Sequence, residues 1–130
     1  MIVLPDTNAV IRYLTRDNEA LFAKAKDFFD GVLEGRSKTI LLESDVAECI
    51  HVLTKVYRVP REEASHSLIG ILRYKGIVNG DREELVSALK LFSDQKIDIV
   101  DCILCAKASK PGFSLLSLDG ELAKLYREEP

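Results

Sequence analysis

Residues 2–14 read IVLPDTNAVIRYL. Three apolar residues, Ile2-Val3-Leu4, form a buried-strand pattern, and Pro5 stops it because proline has no N–H for a ladder. From Asp6 to Leu14 the spacing changes from continuous apolar to helical, with Asp6 a favoured helix cap. A strand that runs into a helix through one sharp corner is the unit of a parallel sheet.

The unit recurs along the chain. Asn18 caps a longer helix carrying Leu21, Phe22, Ala25, Phe28, Phe29 and Val32, and Gly35 ends it. Thr39-Ile40-Leu41-Leu42 reads as a second strand, and Ser44 as the cap of a helix whose face is Val46, Ile50, Leu53 and Tyr57. Pro60 opens a helix from Arg61 to Tyr74, closed by Gly76. Ile77-Val78 is a minimal strand, and Asp81 with Glu84 forms a capping-box variant before Leu85, Leu89 and Phe92. Asp98 opens a helix to about Ser109, Phe113–Ser117 reads as a last strand, and residues 118–128 as a last helix. No repeat or linker interrupts the series, which predicts one α/β domain over residues 1–130, with helices on both faces of a small, mostly parallel sheet: a three-layer α/β/α arrangement.

The chain has 130 residues, 47% of them hydrophobic, enough to bury a core without disulfides or a structural metal. Its formal net charge of −3 excludes a protein that grips nucleic acid by bulk positive charge. The start is too short and too early charged for an export signal, and the longest apolar run of note, Leu68–Leu72, is far below the ~20 residues of a membrane span. Three cysteines make an odd count, so a reducing cytoplasm and no membrane are expected.

Ligands of an open parallel sheet bind beyond the carboxyl ends of its strands. Asp6-Thr7-Asn8 follows the first strand, Glu43-Ser44-Asp45 the second with Glu48 one turn further, Asp101 lies one turn after Asp98, and Asp119 follows Ser117-Leu118. Four acids, Asp6, Glu48, Asp101 and Asp119, are thereby placed to converge on one rim, with no Lys or Arg adjacent in sequence. Singly, each has an ordinary explanation as a cap, a helix-dipole partner or a solvated face. Together they repel, and a hard divalent ion such as Mg²⁺, which takes oxygen ligands, would relieve the repulsion and supply the missing positive charge at a phosphodiester.

With these residues in view, the chain resembles a PIN-domain ribonuclease of the VapC toxin type. The resemblance rests on IVLPDTNAVIRYL, ESDVAECIHVL, IDIVDCILCAKAS and SLLSLDGELAKL, whose order and spacing span nearly the whole chain. It implies a PIN-like α/β fold, Asp6, Glu48, Asp101 and Asp119 as an acidic set binding Mg²⁺ or Mn²⁺, and Thr7, Asn8 and Ser117 as polar support. It also implies an RNA substrate cut by water to leave a 5′-phosphate, a cognate antitoxin protein, and a homodimer, to which the apolar helices over 18–33 and 44–57 are suited. Asp98 is read as the helix cap.

Two alternatives stay open: a PIN scaffold that binds metal without turnover, and a response-regulator-like module, which wants paired acids after the first strand and a lysine after the last. Cys102-x-x-Cys105 lies within an apolar helical run and lacks a second ligand pair, so it reads as core rather than zinc or redox chemistry. His51 reads as packing or surface, and the basic residues fall in scattered pairs rather than one stripe.

Overall fold

A computed structural model describes residues 1–128. Ile2–Val3 form β1 and Lys38–Thr39 form β2, paired in parallel with Ile2 opposite Lys38 and Val3 opposite Thr39. Buried Thr39 joins three segments. Its hydroxyl donates to the Val3 carbonyl at 2.6 Å, its N–H to the Gly76 carbonyl at 2.8 Å, and its carbonyl accepts from Val78 N–H at 2.9 Å. The expected third strand is thus a single parallel bridge between Thr39 and Ile77. Gly76 is required there, because a Cβ would run into the carbonyls of Ser37 and Val32.

The strands are shorter than the apolar runs suggest, for identifiable reasons. Beyond β2, the Asn79 side chain takes over the ladder, accepting from Leu41 N–H at 3.0 Å and donating to the Leu41 carbonyl at 2.8 Å. Residues 113–117 form no strand, and the edge of β1 away from β2 pairs with no strand among the described residues. The expected last strand is therefore absent. Ile2, Val3 and Leu4 on that edge are exposed, as are Phe113, Leu116 and Leu118.

Around the sheet lie, among the described residues, α1 (Thr7–Thr15), α2 (Glu19–Glu34), α3 (Glu43–His51), α4 (Arg61–Leu72), α5 (Arg82–Asp94), α6 (Ile99–Ala108) and α7 (Gly120–Glu128). Asn18 caps α2 by accepting from Leu21 N–H at 3.0 Å, and Gly35 ends it at φ 86°. α3 begins one residue before Ser44, with Leu42 at the cap position, and runs into a π-helical turn over Val52–Val56. Asp81 precedes α5 without capping it. Its carboxylate is drawn instead to Asn79 at 3.0 Å and to the Lys107 ammonium on α6 at 2.7 Å.

One buried cluster links the helices, with Phe29, Leu41, Ile50, Leu68, Leu72, Leu85 and Leu89 inside it. Tyr13 of α1 stacks on Phe29 of α2 with ring centroids 4.6 Å apart. Cys49, Cys102 and Cys105 are buried thiols, not disulfide partners. Burial pushes the Cys49 and Cys102 thiols up to about 12, which keeps them protonated and chemically quiet. Among the described residues no helix is long and apolar enough to cross a membrane.

Candidate active site

The acids are set by the beginnings of helices. Pro5 ends β1, and Asp6 then caps α1, its Oδ1 accepting from Ala9 N–H at 2.9 Å. Capping occupies one carboxylate oxygen, and Asp6 also lines an open cavity of about 350 Å³ with Asn8, Arg12 and Phe28. Thr7, next in sequence, is almost fully buried. Its hydroxyl donates to Asp45 Oδ1 at 2.9 Å and so ties α1 to α3. Sequence reasoning passed over Asp45 as a partner. The available signal was its place three residues before Glu48, on adjoining turns of one helix.

Glu48 is exposed on the second turn of α3 and lines a cavity of about 510 Å³ between α3 and the connection from α5 to α6. Asp98, on the same cavity, caps α6 by accepting from Val100 N–H at 2.8 Å. Asp101 is half-buried in the first turn of α6, and its carboxylate makes no hydrogen bond or ion pair among the described residues. A half-buried carboxylate without a protein partner calls for a ligand or solvent to satisfy it. Asp119 opens α7, accepting from Glu121 N–H at 2.9 Å and Leu122 N–H at 3.2 Å. The Ser117 hydroxyl holds this turn by accepting from Asp119 N–H at 3.0 Å.

None of Asp6, Glu48, Asp101 and Asp119 is in an ion pair among the described residues. Several cations are engaged elsewhere: Arg12 with Asp17, Lys26 with Asp30, Arg73 with Glu83, and Lys107 with Glu43 and Asp81. Lys110 pairs with Glu84 at 3.0 Å and stands before the final segment, so a receiver-type lysine after the last strand is lacking. The donor chemistry is all carboxylate and suits a hard divalent ion. The arrangement does not yet suit one, because among the described residues no three His, Cys, Asp or Glu side chains are grouped to hold a metal. The four acids are spread instead: Asp6 lines one of the two cavities, Glu48 the other, and Asp101 and Asp119 line neither.

A short parallel sheet wrapped by helices, with unneutralised carboxylates where those helices begin, is the frame of a small α/β nuclease-type domain. The PIN domain model matches residues 3–128, and the chain belongs to that family. PIN domains are generally nucleases and typically use divalent metal ions. No curated protein and no solved structure matches the chain.

Proposed function

We propose that this PIN domain is a Mg²⁺- or Mn²⁺-dependent endoribonuclease of the VapC toxin type, with Asp6, Glu48, Asp101 and Asp119 as its acidic set. In this reading it acts in the cytoplasm as a homodimer and is held inactive by a cognate antitoxin protein. The observation that carries the reading is Asp101, a half-buried carboxylate left without a protein partner while carboxylates such as Asp81 and Glu84 are drawn to lysines. Asn8 stands beside Asp6, and Thr7 and Ser117 fix the helix starts that carry the acids.

The working arrangement requires the four acids to converge. Residues 113–117 adding in parallel to the free edge of β1 would bring Asp119 toward Asp6, since Asp119 follows that segment much as Asp6 follows β1. Exposed apolar side chains on both, Ile2 and Val3 on one and Phe113 and Leu116 on the other, favour such pairing.

The test is incubation of the purified chain with RNA in Mg²⁺, in Mn²⁺ or in excess chelator. Cutting that appears only with the metal supports the reading, and full cutting in chelator contradicts it. A second reading is a PIN scaffold that binds metal without turnover, which uses the same acids and differs in the assay. Metal binding by calorimetry with no cutting of any RNA would select that one.

A further inference from the structure

The cavity beside Glu48 has a second character that the acids do not explain. Its walls carry Lys55, Arg61 and Lys96, from the π-helical turn, the start of α4 and the connection into α6. Lys55 and Lys96 are exposed and have no ion-pair partner among the described residues. Arg61 is held rigidly yet its charge is not neutralised. Its Nε donates to the Phe92 carbonyl at 3.1 Å, its Nη2 to the Gln95 and Ile97 carbonyls at 2.7 and 2.6 Å, and its plane lies 3.5 Å from the Phe92 ring centroid. Carbonyl oxygens orient a guanidinium without cancelling its charge, and no hydrogen bond of its Nη1 is made among the described residues.

In a chain of net charge −3, three uncompensated cations around one cavity need a reason. Two acids, Glu48 and Asp98, share the wall, so a simple anion sink is the wrong description. Cations and acids on one cavity suit a ligand that is anionic along its length and reaches the acids at one point. Apolar Ile50, Ile97 and Val100 also line it, and a volume of about 510 Å³ is of the size that takes one small-molecule-sized unit. A lining that combines apolar and cationic side chains fits a nucleotide whose base is out of its stack and whose phosphate meets the cations. The π-helical turn helps form the wall, since it sets Thr54 and Lys55 on the cavity, and such turns often mark functional positions.

We propose that this cavity is a nucleotide subsite, in which Lys55, Lys96 and Arg61 hold the phosphates of one unstacked nucleotide of an RNA strand and so lead the strand to Glu48. The nature of the ligand rests on the nuclease reading above, but binding at this place does not depend on catalysis. Lys55 and Lys96 are the residues to change, because Arg61 also fixes the connection between α5 and α6.

The experiment measures fluorescence anisotropy of a fluorescein-labelled single-stranded RNA in excess chelator, with salt titration, alongside a duplex of the same sequence. Compared are wild type, Lys55→Ala with Lys96→Ala, and a control with Lys75→Ala and Lys90→Ala, which removes equal charge away from the cavity. Melting curves establish that all three fold. The subsite predicts roughly tenfold or greater weakening for the first pair, a salt slope smaller by about 1.4 (about 0.7 for each single-strand phosphate that no longer meets a lysine), and little change for the control. It also predicts stronger binding of the single strand than of the duplex. Equal weakening in both double variants, unchanged affinity in the first, or no RNA binding by wild type overturns it. Cleavage by wild type in Mg²⁺ is scored separately. Cutting with cavity-independent binding rejects the subsite and keeps the nuclease, whereas cavity-dependent binding without cutting keeps the subsite and rejects the nuclease.

Discussion

Thr7→Val removes one hydroxyl at nearly constant volume and cuts the tie between the helix that follows Asp6 and the helix that carries Glu48. In the folded chain Thr7 Oγ1 donates to Asp45 Oδ1 at 2.9 Å, with Thr7 only 9% exposed. A hydrogen bond to a charged group contributes about 1.5–3 kcal/mol. Asp45 is half-buried, so water recovers part of that once the hydroxyl is gone, and the net loss is expected near the lower figure, about 1.5 kcal/mol. In a chain of this size that loss lowers the melting temperature by roughly 5–6 °C. Urea unfolding of wild type, Thr7→Val, Asp45→Ala and the double variant gives the coupling directly. Thr7→Ser, which restores the donor, should recover most of the stability. A coupling energy near zero, or a Thr7→Ser variant as weak as Thr7→Val, would show that the two helices are held by packing alone.

Asp98→Ala should cost about 1 kcal/mol through loss of the cap to Val100 N–H and leave most of the cleavage rate, as read by melting and by RNA assay. For Asp81, burial alone raises the carboxyl, but the bonds from Lys107 and Asn79 outweigh it and hold it below the ordinary 3.8. A depressed folded value gives stability that is present above the ordinary value and lost as pH falls through the folded one. The destabilisation by Lys107→Met should therefore be full near about pH 6 and shrink below about pH 4, in melts across that range; a constant difference would refute the pairing. Light scattering at micromolar concentration should give twice the chain mass, and a monomer mass throughout would refute the dimer.

The helices were legible in the sequence because their signals are local. Asn18 and Gly35 bound α2 as caps should, and Asp98 caps α6 through its own carboxylate. The sheet was less legible because strand pairing is a tertiary matter. Apolar runs at residues 39–42 and 113–117 look alike as sequence, yet the Asn79 side chain replaces the ladder at Leu41 and the later run pairs with nothing among the described residues. Asp81 misled for a similar reason, since the capping pattern is local and the lysine that competes for the carboxylate lies 26 residues away. The places of the four acids, after strands and at helix starts, were readable, but their convergence is a tertiary matter, and among the described residues no three of them are grouped. The Thr7–Asp45 bond and the cationic walls of the cavity beside Glu48 were not readable, because Lys55, Arg61 and Lys96 meet only when α3, α4 and the start of α6 are packed.

The most direct test of the nuclease reading is the rate of RNA cleavage in Mg²⁺ by Asp101→Asn beside wild type and Asp98→Ala, with melting curves for all three. Asp101 makes no hydrogen bond or ion pair among the described residues, so its loss should leave the fold as stable as wild type. Its rate should fall by on the order of 100-fold or more, equivalent to about 2.7 kcal/mol of barrier, while Asp98→Ala stays near wild type. An Asp101→Asn protein that melts normally and cuts RNA at the wild-type rate would contradict the account.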